Sequence, residues 1–400
     1  MTPTLFRGTL LLPDRELPGG QVRVADGRIT EVGPTSSTAT DNAATIIDIA
    51  DGYIAPGFVD LHIHGGDGGD FMDGTDDAFT KSITSHARHG TTSMAITTTV
   101  GTHERIMTVL ETTRRFRTMK NAPGARVLGA HFYGPYFRYE ARGAHPGAAI
   151  RAPIKEEYDQ YLEYADSLVT CTVAPELPGA QDFVEACTAK GVRTNVGHSW
   201  ATFEQTAAAV KWGVRHVDHL FCAMSDKTRL RQFQMYPMQG GVLEATLFFD
   251  ELTTEVIADG KHLSPDLLQL AYKIKGSDRL ALVTDCSRAL DMPDGDYMIG
   301  PLDGGEPIIK RDGVGMMPDG KALGSSVEGM DHMIRTFLAA TSRPLHEVIK
   351  MASLTPARIA GWEKEIGSLA AGKRADIVVL DKELQVQRVF KDGIELHRAG

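Results

Sequence analysis

The residues whose types and spacing could do chemistry begin at His62 and His64, one residue apart at the end of the apolar run Pro56-Gly57-Phe58-Val59-Asp60-Leu61. On an extended strand, side chains two positions apart share a face, so both imidazoles would project together. Such a pair has metal-ligand geometry, although two histidines meeting water at a strand end would look the same. Three further residues follow strand-like runs: His198 after Thr194-Asn195-Val196-Gly197, His219 after Val217-Asp218, and Asp285 after Leu280-Ala281-Leu282-Val283-Thr284. Imidazoles with a carboxylate suit zinc, and also iron, manganese or cobalt. A divalent metal in such a set lowers the pKa of water to about 7. Asp285 could then take a proton from that water and pass it to a leaving nitrogen or oxygen, while His219 polarises the substrate's oxygen. The chemistry that follows is metal-assisted hydrolysis.

For these five residues to meet, the strands carrying them must run the same way around one axis. Apolar strand-like runs alternate with helical stretches along the middle of the chain, the strands ending near His64, Thr98, His131, Glu176, His198, His219, His262 and Asp285. Amphipathic patterns at Phe203 to Trp212 and Leu267 to Ile274 suit an outer ring of helices. Repeated βα units of this kind predict an α/β fold of the (β/α)8, TIM-like barrel type, whose chemistry sits at the C-terminal strand tips. An open doubly wound sheet fits the spacing too, but no Gly-x-Gly-x-x-Gly turn opens a nucleotide site. Both chain ends read differently, as short strands: Thr4 to Phe6, Gln21 to Val24, Ile29 to Val32 and Thr45 to Asp48, then Ala375 to Leu380 and Val386 to Phe390. Asp26-Gly27 and Asp392-Gly393 are turn signals between such strands. A few strands alone bury too little surface, so residues 1–52 and 362–400 are expected to pair into one small β-sandwich beside a barrel of residues 53–361.

The 400 residues carry a formal net charge of −10, which argues against nucleic-acid and anionic-membrane partners. No apolar run reaches the roughly 18 residues of a membrane span, and the N-terminus has no apolar signal segment, so the cytoplasm is the expected location. Cys171, Cys187, Cys222 and Cys286 are too scattered for a disulfide framework.

Several longer stretches carry a resemblance: PGFVDLHIHG at 56–65, GHS at 197–199, HLFCAM at 219–224, IADGKHLSP at 257–265, LVTD at 282–285, and ASLTPARIAG with GSLAAGKRADIVVLD near the C-terminus. In these the chain resembles the amidohydrolase superfamily and, within it, the N-acetylglucosamine-6-phosphate deacetylases. The resemblance implies deacetylation of a small polar substrate, an N-acetylated amino sugar or its 6-phosphate, and a homodimer in which a neighbour completes the phosphate site. It also implies that His145 and His262 line the substrate pocket with Ala223, and that Ser325, in Gly324-Ser325-Ser326, opens a helix whose N-terminal amides hold an anion or hydroxyl.

The chain departs from the family pattern twice. Tyr133 stands where the family has a metal-binding glutamate, and Cys222 where it has an asparagine that holds the sugar phosphate. A phenol with a pKa near 10 is a poor ligand at neutral pH, and a thiol is a poor replacement for an amide. What is left resembles the one-metal arrangement of superfamily deaminases: His62, His64, His198 and Asp285, with His219 alongside. One zinc per chain is therefore expected. Glu176 could act as a substitute carboxylate or simply belong to the family's Ala-Pro-Glu turn, and Lys227, Arg229 and Arg231 could clamp a phosphate or lie in a solvated loop. His131 is expected beside the metal. A deaminase or a sugar-acid lactonase would use the same constellation, and a barrel that has lost its activity is the non-enzymatic alternative.

Overall fold

A computed structural model of the chain describes residues 3–35 and 44–400. Eight parallel strands pair in sequence order: β1 (Phe58–Asp60), β2 (Thr91–Thr97), β3 (Arg126–Phe132), β4 (Leu168–Val173), β5 (Arg193–Val196), β6 (His216–Val217), β7 (Thr253–Ile257) and β8 (Leu280–Val283). The expected strand positions are all recovered. The sheet closes between its ends, where Ile63 pairs with Cys286, the Asp285 amide donates to the His62 carbonyl at 2.8 Å, and the His64 amide donates to the Cys286 carbonyl at 2.8 Å. The first and last strands are thus stitched together through the backbone of His62, His64 and Asp285.

The outer helices follow the sequence pattern. Phe203–Trp212 starts with a reciprocal cap between Thr202 and Gln205 and buries Thr206 and Ala209, three residues apart on one face. Pro265–Arg279 buries Leu268, Ala271 and Lys275 against the barrel and is interrupted at Gly276, whose φ of 64° is left-handed.

The chain ends build one seven-stranded sheet in the order 394–398, 386–391, 377–380, 45–56, 4–11, 16–25, 28–34. The N- and C-terminal segments pair directly, Ile377 opposite Pro56 and Val378 opposite Ala55. Phe6 and Phe390 belong to strands three places apart in that order, yet their rings meet edge to face at 4.9 Å. The sheet therefore curls over its own core of Leu10, Val22, Ile54 and Val379, so the two layers of the sandwich are one continuous sheet. Both Asp-Gly turns place two successive residues at positive φ, 49° and 76° at Asp26-Gly27 and 51° and 73° at Asp392-Gly393, which matches the twist of a tight hairpin.

The sequence reading missed an antiparallel meander after β8, with strands Gly295–Ile299, Glu306–Arg311, Val314–Met316 and Leu323–Ser326. This corrects the expectation for Ser325, which lies on the last of these strands. The helix begins only at Met330, behind Gly329, and has no side-chain cap. Ser325 spends its hydroxyl on the Asp285 carbonyl at 2.8 Å instead. Among the described residues no helix is long and apolar enough to cross a membrane, and all four cysteines are free.

Candidate active site

His62 and His64 follow β1 and Asp285 follows β8, and the seam between those strands brings them together. His64 Nε2 lies 3.1 Å and His62 Nε2 3.6 Å from Asp285 Oδ1, and the ligand atoms of the three lie within 4.8 Å of one another. His62 Nδ1 is 2.6 Å from Glu255 Oε1, so the carboxylate holds the proton on that nitrogen and turns the lone pair of Nε2 toward the cluster. That Nε2 is buried and has no hydrogen-bond partner. Buried polar atoms are almost always satisfied, and a lone pair left over beside a carboxylate and a second imidazole fits a divalent cation. Glu255 escaped the sequence reading; its signal was an acidic residue inside the largely buried strand β7. It also receives His216 Nε2 at 3.2 Å, and its side chain is only 1% exposed.

His198 and His219 stand across the same centre, as expected, but their Nε2 atoms face elsewhere. Both reach the hydroxyl of Tyr133, His219 at 2.6 Å, and lie 3.3 Å from each other. The Tyr133 ring sits 4.5 Å from the His62 ring and 5.6 Å from the His64 ring, between the two halves. His131 lies behind, its ring 4.9 Å from that of His62 and its Nε2 2.9 Å from the Thr172 hydroxyl. Glu176 turns away and accepts from the Ser199 hydroxyl and the Trp200 amide at 2.7 and 2.6 Å, which leaves it anchoring a loop. The chain reverses sharply where it leaves the strands: φ is 46° at His198, 23° at His219, 50° at Ala223 and 50° at Asp285. Non-glycine residues in this region carry strain, and strain of this kind concentrates at functional sites.

Electrostatics differ between the halves. Burial works against the charge on His62, but Asp285 and Glu255 outweigh it and raise its pKa to about 9. Asp285 is half-buried, and His62 and His64 hold it well below the usual carboxylate range. Burial lowers His219 to about 4, with His62 adding repulsion, and takes His198 and His145 well below the ordinary histidine value. Burial and the charge of Asp285 push Tyr133 well above the ordinary phenol value. Deeper in the barrel, burial lifts Asp60 to about 7, and burial with the charge of Glu255 lifts Asp218 to about 6.

A cavity of about 560 Å3 opens over this centre, with His64, His198, His219, Tyr133 and Asp285 in its floor. The residues expected on the substrate side all line it: His145, His262, Cys222, Ala223 and Ser325. His262 is oriented by Asp259, 2.7 Å from its Nδ1, which leaves Nε2 for a ligand. Cys222 is a neutral thiol, pushed up to about 12 by burial and by Asp285 and Asp259. Arg229 lies at the rim on a short helix, Lys227–Leu230, its guanidinium 4.7 Å from the centre of the Trp200 ring.

Residues 53–395 match the amidohydrolase family. The chain belongs to the amidohydrolase family, which makes it a metal-dependent hydrolase. Its relatives there are deacetylases. It is 33% identical to the N-acetylgalactosamine-6-phosphate deacetylase of Escherichia coli O157:H7 over 98% of this chain and 99% of that one. It is 31% identical to the N-acetylglucosamine-6-phosphate deacetylase of Vibrio furnissii over 85% and 82%. Among solved structures, the N-acetyl-D-glucosamine-6-phosphate deacetylase of Mycobacterium smegmatis, in complex with N-acetyl-D-glucosamine-6-phosphate, superposes with a TM-score of 0.89 at 29% identity, over 99% of this chain and all of the other.

Proposed function

We propose that this enzyme removes the acetyl group from an N-acetylated amino sugar 6-phosphate, with one zinc ion per chain held by His62, His64 and Asp285. The observation that carries the reading is the cavity itself: His64 and Asp285, with His62 buried against them, the two further imidazoles and the polar residues of the substrate side meet at one space. The relatives' substrates support the choice within that class. A divalent ion bound there supplies Lewis acidity and makes water nucleophilic near neutral pH.

The chain's own residues do the rest. Asp285, with its pKa held low, stays ionised at neutral pH and accepts the proton of the attacking water. It then returns that proton to the sugar nitrogen as the amide C–N bond breaks, giving acetate and a free amine. His219, on the opposite wall, polarises the acetyl oxygen by passing its Nε2 N–H from the Tyr133 oxygen to the substrate. His262 and His145 face the sugar, and Arg229 at the rim offers a planar cation to the phosphate while Trp200 backs it. Phe233, Met235, Tyr236 and Met238 beside that rim are 68, 64, 85 and 51% exposed, an apolar patch that suits a homodimer contact. The cytoplasm is the compartment we assign.

The test is acetate release from N-acetylglucosamine-6-phosphate, its galacto isomer and the two unphosphorylated sugars. We expect release from a phosphorylated substrate with kcat/KM at least tenfold above its unphosphorylated counterpart. Turnover of none of the four by metal-loaded protein would overturn the reading.

A further inference from the structure

We propose that Tyr133 closes the His198 and His219 half of the centre to metal, so that the two imidazoles act as a hydrogen-bonded wall and the ion is confined to the His62, His64 and Asp285 half. The inference deepens the metal-dependent reading above and rests on it for the existence of a bound ion, but not on which substrate is cleaved.

The argument is one of proton accounting. His198 Nδ1 lies 2.7 Å from the Ala141 carbonyl, which can only accept, so Nδ1 carries the proton and Nε2 carries a lone pair. The partner of that lone pair is the Tyr133 hydroxyl, which must therefore be the donor and keep its own proton. The phenol oxygen then has lone pairs to offer to His219 Nε2, 2.6 Å away, and a neutral imidazole answers with an N–H. This places the His219 proton on Nε2 and leaves Nδ1 bare, and Nδ1 is the His219 nitrogen that is buried with no hydrogen-bond partner. One directed chain results: His219 N–H to Tyr133 oxygen, Tyr133 O–H to His198 nitrogen, His198 N–H to the Ala141 carbonyl.

A cation bound between His198 and His219 would need both Nε2 lone pairs. One is already occupied and the other is a proton. Nor, among the described residues, does this half have a free carboxylate of its own: Glu176 is spent on Ser199 and Trp200, and Asp218 on Thr172 and Asn195 at 2.6 and 2.8 Å. The opposite half differs on each count, with a buried His62 Nε2 that has no hydrogen-bond partner and the Asp285 carboxylate within 3.6 Å of it.

Metal content decides the matter, independently of turnover. The full chain is stripped with a chelator, titrated with Zn2+, and assayed for tightly bound equivalents by elemental analysis and calorimetry, with circular dichroism as a check on folding. We expect one equivalent in the wild type and one in His198→Ala and His219→Ala, and less than a tenth of an equivalent in His62→Ala. Tyr133→Glu, which supplies an anionic ligand in place of the O–H donor, is expected to raise the count to two, and adding His198→Ala should return it to one. Two equivalents in the wild type, or loss of zinc from His198→Ala, would overturn the proposal. So would a phenolate-to-copper absorption band in the Cu2+-loaded wild type, because it would make Tyr133 a ligand.

Discussion

The two halves of the centre contain the same side chain in the same degree of burial and hold it in opposite states. His62 and His219 are both buried, with ring centres 5.3 Å apart, yet the first has its pKa raised to about 9 and the second lowered to about 4. Burial depresses both. Of the two rings only that of His62 touches carboxylates, Glu255 on one nitrogen and Asp285 near the other, whereas His219 meets Glu255 only through its backbone amide. The contrast teaches that barrel position makes a histidine available, whereas the next layer of carboxylates decides whether it holds a cation or donates a hydrogen bond.

The comparison is broken most severely at Asp285. Asp285→Asn keeps the shape and removes the proton acceptor, so kcat should fall by about a thousandfold with the substrate still bound, as steady-state kinetics would show. Glu255→Gln should weaken metal affinity by about 10- to 100-fold, measured by competition with a chromogenic chelator. In the metal-free protein the same change should draw the NMR titration of His62 down from about 9 toward that of His219, and equal wild-type values for the two would refute the contrast.

His89 extends the rule beyond the cavity, since it bridges Asp331 at 2.9 Å and Asp291 at 3.0 Å and the pair overcomes burial to raise its pKa to about 9. A folded-state value above the unfolded 6.5 means that its contribution is complete below about pH 6.5 and is lost as pH rises through about 9. His89→Gln should therefore cost about 2 kcal/mol at pH 6 and little at pH 10, read from thermal unfolding at the two pH values. The smallest effect is expected at the rim: Arg229→Ala should raise KM for phosphorylated substrates several-fold and leave kcat nearly unchanged.

Much of this was legible in the sequence, for physical reasons. Barrel strands are buried on both faces and read as continuous apolar runs, so a histidine or aspartate at the end of one stands out, and the strand tips, the imidazoles and Asp285 followed from that signal, while the pairing of the chain ends followed from short strands too few at either end to bury a core alone. Glu255 did not, because its partner His62 lies 193 residues away and the pairing exists only once the barrel closes. The meander was missed because its strands are short and half-exposed, with alternation too weak to read. Gly324-Ser325-Ser326 resembled a helix start because small hydroxyl residues usually cap helices, whereas here the Ser325 hydroxyl is drawn to the barrel.

That attachment couples two properties that enzymes often vary separately. The meander forms one wall of the cavity through Ile299, Leu323 and Ser325, and its last strand accepts and donates along the chain at Asp285, Cys286 and Ser287. The Asp285 carbonyl takes both the Ser326 amide at 3.1 Å and the Ser325 hydroxyl at 2.8 Å, while its own amide is tied to His62. The wall proposed to face the sugar and the carboxylate proposed to move the proton are therefore a single mechanical unit. On the proposed mechanism, evolution or engineering that re-cuts this wall to admit a new substrate also retunes Asp285, so drift in specificity and drift in turnover are inherited together.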